Sequence, residues 1–237
     1  MESKEWLHPQ AIGSSMDSLG AALKSNIIPN KEYLLQGSIM DSSVEVLLHR
    51  LRGLCDNVDT GAETFYDQEM CFSIRGSSSS SSMPQLLYLR VRRALDSTMP
   101  QEMPCQLRYT GEPELGTGDK ARPTIVRSSV DVAVTPSILE YLTELGARIE
   151  FEYVARGYMF RKGRMKITVS KIFKVSREGQ GSRPEDLVSQ SYLVEMSVLA
   201  PSGQDAIGED MKAFAEQLKP LVHLDKIDYK RLPHTIP

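Results

Sequence analysis

The chain has no apolar run approaching the roughly 20 residues that a membrane-crossing helix needs. Its N-terminus, with Trp6, His8 and Pro9 early, lacks the basic-then-apolar order of a secretory leader. A protein neither secreted nor embedded in a membrane is expected. Positive charge is not in excess either: 28 Lys and Arg stand against 31 Asp and Glu, a formal net charge of -3 with a pI near 5.9. No long-range field draws a phosphate backbone to such a surface, so direct nucleic-acid binding is not expected. Cysteine is scarce, and Cys55, Cys71 and Cys105 form an odd, widely spaced set. That excludes a disulfide framework and fits reduced thiols in the cytosol or nucleus.

Signatures of chemistry are missing too. There is no Gly-Lys-Ser or Gly-Lys-Thr phosphate loop and no Gly-x-Ser-x-Gly elbow. His8, His49, His223 and His234 are scattered, none at metal-ligand spacing from another histidine or a cysteine. His49 stands one helical turn after Glu45, the spacing of a solvated pair. Residues Gly116 to Ala121 fit a dinucleotide pattern, but Arg122-Pro123 follows where that motif must open a helix, so a turn between strands is expected. No catalytic residue, metal or cofactor is assigned.

What is present suits a folded domain. Of the 237 residues, 41% are hydrophobic and 25% charged, enough apolar surface to offset the entropy of ordering. Residues 1–30 mix Ser, Gly, Asn and Pro without a sustained period and read as a flexible tail. Within it Met16, Leu19 and Leu23 could share one helical face, but over too short a span to persist alone. A single domain is expected over residues 31–232, with a loose end at 233–237.

Inside that domain Tyr33 to Ile39 reads as a strand. A helix follows, with Ser42 and Glu45 at capping-box spacing and Val44, Leu47, Leu48, Leu51 and Leu54 on one face. The period then drops to two through 64–74, 86–94, 103–109 and 123–134, which marks strands. A Ser-rich surface loop (76–84) interrupts them. A second helix is predicted with Thr135 as N-cap, Pro136 at its first position, Ile138, Leu142 and Leu145 facing inward and Gly146 closing it. Strands at 147–162 and 164–175 follow, with Gly157 as a bend or bulge. A polar loop (176–190), a strand at 191–200 and a helix from Asp205, burying Ile207, Met211, Phe214 and Leu218 and stopped by Pro220, complete the domain. The twice-repeated order of strand, helix and several strands suggests duplication. So many alternating strands favour an α+β fold dominated by a many-stranded antiparallel barrel, with about three flanking helices.

One constellation invites a chemical reading. Glu150 and Glu152 alternate on a long strand, while Arg90, Arg92, Arg108, Arg161, Lys162, Arg164 and Lys166 lie on other strand runs. Pointing inward, such acids and bases could line a tunnel that holds a metal and a polyphosphate. Pointing outward, they are a solvated sheet face, which is the preferred reading.

Longer words of the sequence point to a family. Glu32-Tyr33-Leu34-Leu35-Gln36-Gly37-Ser38 and the run from Leu48 to Asn57 resemble the opening of Mediator complex subunit 18. Leu107-Arg108-Tyr109, the run from Gly157 to Gly163, Met165-Lys166-Ile167, Lys171-Ile172-Phe173, the run from Ser191 to Glu195, Gly203-Gln204-Asp205 and the run from Gln217 to Asp228 follow in the same order. The resemblance implies a barrel like those of triphosphate tunnel metalloenzymes and a nuclear, non-enzymatic subunit of the Mediator head module. It implies pairing with a sister barrel, Mediator subunit 20, and with the C-terminal helix of Mediator subunit 8. Other head subunits, RNA polymerase II and general transcription factors are implied as further contacts. Tunnel enzymes carry a Glu-x-Glu-x-Lys strand motif, and here Val154 stands where that lysine would be, which leaves the set incomplete. Tyr158, Phe160, Arg161 and Lys162 are the candidate partner-binding residues, with Phe173 and Tyr192 as further aromatic anchors.

Overall fold

The computed structural model describes residues 30–56, 61–76, 85–95, 103–114, 122–176, 183–201, 204 and 206–227. The expectations for the tail before Asn30, the Ser-rich stretch 77–84, the Gly116–Ala121 turn, the helix start at Asp205 and the end at 233–237 lie outside them.

Nine strands form one antiparallel sheet: β1 (Asn30–Met40), β2 (Glu63–Gly76), β3 (Gln85–Ala94), β4 (Cys105–Pro113), β5 (Ile125–Val134), β6 (Arg148–Lys162), β7 (Met165–Ser176), β8 (Arg183–Leu187) and β9 (Ser191–Pro201). The order runs β6-β2-β3-β4-β5-β1-β9-β7, and pairing of β6 with β7 closes these eight strands into a barrel. Helix α1 (Val44–Leu54), α2 (Ile138–Glu144) and α3 (Ala206–Gln217) lie outside it. The expected α+β barrel with three flanking helices is the observed architecture.

Two apolar clusters hold the helices to the wall. Leu47, Leu48 and Leu51 of α1, with Met211 and Phe214 of α3, pack on Leu35, Val194, Met196, Ile167 and Phe160. Each of these is at most 5% exposed, so this is the main core. On the other side Leu142 of α2 meets Met70, Phe72, Val91 and Cys105, with Ile138 and Leu139 packed against them. Burial pushes the Cys55 thiol, at the end of α1, up to about 11, which keeps it an unreactive core residue.

Several local expectations are corrected. No capping box forms, because Asp41–Ser43 makes a tight 3-10 turn and α1 starts only at Val44, without a side-chain cap. Thr135 and Pro136 likewise form a turn ahead of α2, where the Thr135 carbonyl accepts from the Ile138 amide at 3.0 Å, and Leu145 points outward. Gly146 does close the helix, at a φ of 82°. Gly157 is not a bulge, since it stays in register with Phe65 and with Ser170. Its bareness serves close packing: any Cβ there would strike the Val169 carbonyl. The true irregularity faces Cys71 and Phe72, where Phe151 and Ile149 are their partners and Glu150 is the extra residue. Finally, the polar segment 176–190 contains β8. Proline and acids hide it from any alternation test, and it forms because β7 offers Phe173 to Ser176 beyond the last pair with β9.

Candidate functional site

Closure decides what each strand face meets. On β1, Tyr33, Leu35 and Ile39 join the helix-covered core, so Glu32, Leu34 and Gln36 must face the barrel interior. Register carries the same face around the ring: Glu32 lies opposite Arg127, Arg108 opposite Asp131 and Arg90, Arg92 opposite Glu69, and Glu69 opposite Tyr153. Across the barrel the face includes Glu195 and Lys166. The preferred reading of these charges as an outer solvated face is therefore wrong for Arg90, Arg92, Arg108 and Lys166, which line the tunnel. It holds for Arg161, Lys162 and Arg164, which are exposed.

The interior charges interlock. Arg127 donates to Glu32 at 2.7 Å, and Arg108 reaches the other Glu32 oxygen at 3.5 Å while gripping both oxygens of Asp131 at 2.6 and 2.8 Å. Glu32, 5% exposed at its side chain, thus has a cation on each oxygen. Arg92 donates to Glu69 through Nε at 2.8 Å and through a second nitrogen, and the Tyr153 hydroxyl donates to the other Glu69 oxygen. Burial alone would raise the Glu69 carboxyl, but Arg92, Tyr153 and Arg90 hold it below its ordinary value. The Tyr153 hydroxyl is pushed far up by burial and by the Glu69 charge, so it remains a donor. Asp67 is raised by burial, against the pull of Arg92. Gln36 donates to Glu195 at 2.6 Å. Lys166 and Asp67 make no hydrogen bond or close ion pair among the described residues: burial, then Arg92 and Arg108, lower the Lys166 pKa against the attraction of Glu195 and Glu32, and Asp67 lies within reach of the Lys166 charge.

The paired carboxylates of the metal-tunnel idea do not pair. Ser73 donates to Glu150, whereas Gln68 donates to Glu152 at 2.8 Å. Five residues apart on β2, Ser73 and Gln68 face opposite sides, so the extra residue in β6 has put the two carboxylates on opposite faces. Among the described residues no group of three or more His, Cys, Asp or Glu stands together to hold a metal.

The candidate partner-binding residues separate. Phe160 is fully buried beneath α1 and α3, so its ring is committed to the core and cannot anchor a partner in this fold. Arg161 and Lys162 sit on an exposed hairpin beside Glu63 and Asp56, at 3.4 and 3.3 Å. Asp56 also ties the hairpin to the end of α1, accepting from the Gly163 amide at 2.5 Å while its own amide donates to the Arg161 carbonyl at 2.7 Å. Tyr158 instead joins Tyr66, Phe173 and Tyr192 in an open groove of about 980 Å³ on the outer wall, between the two helix-covered regions. Lys171 bonds Asp41 at its rim and lies 4.9 Å over the Tyr192 ring. Alternation could flag each aromatic separately, but only the pairing of β6 with β2 and β7, and of β7 with β9, gathers them.

The chain is similar to proteins of one family along most of its length. A family model described as Med18 protein matches residues 31–233. The chain is 61% identical over 218 residues to the "Mediator of RNA polymerase II transcription subunit 18" of Aedes aegypti, covering 92% of this chain and 94% of that one. It is 57% identical to the Drosophila melanogaster protein of that name, covering 93% and 97%, and 52% identical to the Danio rerio one, covering 85% and 90%. Among solved structures it resembles a chain of the Schizosaccharomyces pombe Mediator head module, with a TM-score of 0.62, 16% identity and coverage of 83% and 98%. That last likeness speaks to the fold alone.

Proposed function

The chain belongs to the Med18 protein family, and from that premise we propose that it is a non-enzymatic, nuclear subunit of the Mediator head module. The observation that carries this reading is collinear identity of 61% over 92% of the chain with a relative named as that subunit. In this role the protein pairs with Mediator subunit 20, accepts the C-terminal helix of Mediator subunit 8 and relays regulatory signals to RNA polymerase II initiation with the other head subunits. Its mechanism is burial of selected outer surfaces on assembly.

The groove around Tyr158 suits an amphipathic helix. Tyr66, Tyr158, Phe173 and Tyr192 offer rigid amphipathic contact area, and Arg156 at the edge can meet a helix carboxylate. Arg161 and Lys162, held out on their hairpin, are assigned to a polar rim contact. The metalloenzyme alternative has little to stand on, because Glu150 and Glu152 face opposite ways.

Co-expression with Mediator subunits 20 and 8 tests the reading. A ternary complex surviving gel filtration is expected, and Tyr158→Glu should release subunit 8 while leaving subunit 20 bound. Separate elution of well-folded wild-type proteins would refute the pairing.

A further inference from the structure

We propose that residues 25–29, just ahead of β1, extend that strand along an open edge of β5 and cover Val130 and Val132. The inference stands independently of the Mediator reading.

The strand pairings expose the edge. β5 pairs with β4 from Arg127 to Val134, but with β1 only from Ile125 to Ser128. Among the described residues no strand lies beside 129–134 on the side of β1. The direction of the backbone groups there follows from β1. Gln36 exchanges both of its backbone hydrogen bonds with Asp225, each at 3.0 Å, on the edge away from β9. Even-numbered residues of β1 thus turn their amides and carbonyls toward β5, and odd-numbered ones toward β9. Since Glu32 lies opposite Arg127, the odd-numbered residues of β5 look back at β1. Asp131 and Ala133 therefore present two amides and two carbonyls to a lane that no described residue fills. The outer surface is unfinished at the same place: Val130 and Val132 are 44% and 48% exposed, and a hollow of about 290 Å³ has Asp131, Val132 and Ala133 in its wall.

Connection and chemistry select the occupant. The described chain begins at Asn30, at the mouth of this lane, so the residues before it enter without a linker, whereas a separate partner must overcome the entropy of association. Continuing the register of β1 with β5 puts Pro29 opposite Val130, Ile28 opposite Asp131, Ile27 opposite Val132 and Asn26 opposite Ala133. Ile27 falls on the outer face, as Tyr33 does, and a β-branched neighbour there packs on Val132. Pro29 lacks an amide, but its position turns toward β9, whose pairing with β1 ends at Asn30. The proline forfeits no hydrogen bond to β5, and it restricts Ile28 to the extended backbone that a strand needs. The Tyr158 groove does not compete for these residues, because it opens at Asp41, beyond the far end of β1. An uncovered edge is a template for other chains, and this segment seals it.

Amide exchange, followed by nuclear magnetic resonance on the labelled full-length chain, tests the proposal. Val130 and Val132 face β4 and serve as internal controls that exchange slowly in every variant. Asp131 and Ala133 are expected to exchange slowly as well. Ile28→Pro removes the amide that faces Asp131 and sets a ring methylene against its carbonyl. It should speed exchange at Asp131 and Ala133 by about 10-fold or more, while the amides of 31–34 stay slow and show that the barrel is intact. Pro29→Ala, turned the other way, should leave both rates unchanged. Fast exchange at Asp131 and Ala133 in the wild type, or equal rates in the wild type and Ile28→Pro, would overturn the proposal. Protection that survives in Ile28→Pro and grows with protein concentration would also overturn it, and would assign the edge to a second copy of the chain.

Discussion

On the outer face of β1, β9, β7 and β6, apolar side chains meet α1 and α3, and water is excluded. The inner face of the same strands carries Glu32, Gln36, Glu195 and Lys166: Glu32 is held by Arg127 and Arg108, Glu195 by the Gln36 amide, and Lys166 only by the more distant carboxylates. Both faces arise from one alternating backbone, yet different physics stabilises them. Outside, burial is non-directional and each side chain contributes nearly on its own. Inside, each charge costs desolvation that only a correctly placed partner offsets. A partner protein that covers the outer wall therefore need not disturb the interior pairs.

The comparison can be broken first where the effect is largest. Phe160→Ala removes a fully buried ring from the outer core and should cost about 3–5 kcal/mol in urea unfolding. A cost below about 1 kcal/mol would mean that this core is not the main source of stability. Inside, Glu32→Ala strands Arg127 and part of Arg108, and a loss of about 3 kcal/mol is expected.

The double change Glu69→Met with Arg92→Met sharpens the contrast. It should cost less than Glu69→Ala alone, because the buried Arg92 charge goes with its partner and only the half-exposed Arg90 is left without its carboxylate. Two large-to-small changes at separated sites, one in each outer apolar cluster, should instead nearly add, so additive losses from the interior pair would erase the distinction. Acid unfolding carries the same signature. Glu69 is held below its ordinary 4.5, so its contribution is complete above pH 4.5 and is lost as pH falls through the folded value. Glu69→Gln should flatten that limb of the stability curve.

The smallest effect has the opposite sign. Lys166→Met should raise the stability of the chain, by about 1 kcal/mol, because burial beside Arg92 and Arg108 outweighs the attraction of Glu195 and Glu32 for this charge. The folded pKa of Lys166 lies below 10.5, so the cost of its charge is complete below that folded value and is relieved as pH rises toward 10.5. The stabilising effect of the substitution should therefore fade over that alkaline range.

These contrasts also explain what the sequence could reveal. Helical spacing identified the buried faces of α1 and α3 through Leu47, Leu51, Met211 and Phe214, because an amphipathic helix displays its periodicity locally. Alternation identified the strands but not which face lay inside, since closure depends on β6 meeting β7 and on α1, a neighbour of β1 in the chain, covering the outer wall. Arg90 and Arg92 look alike whether solvated or enclosed. Glu150 and Glu152 read as a pair because one extra residue in β6 leaves no mark in the local pattern. Phe160 looked like an anchor because an aromatic beside two cations reads the same on a surface and at the edge of a core. The groove at Tyr158 needs four strands at once, and no window of sequence contains them.

The most direct test of the account recovers the tagged full-length chain from nuclear extract, as wild type, as Lys166→Met and as the Glu69→Met, Arg92→Met double variant. Mediator head subunits should accompany all three in equal amounts, since the proposed assembly uses the outer wall and not the interior charges. Their absence from the wild type, or their loss only when the interior is altered, would contradict it.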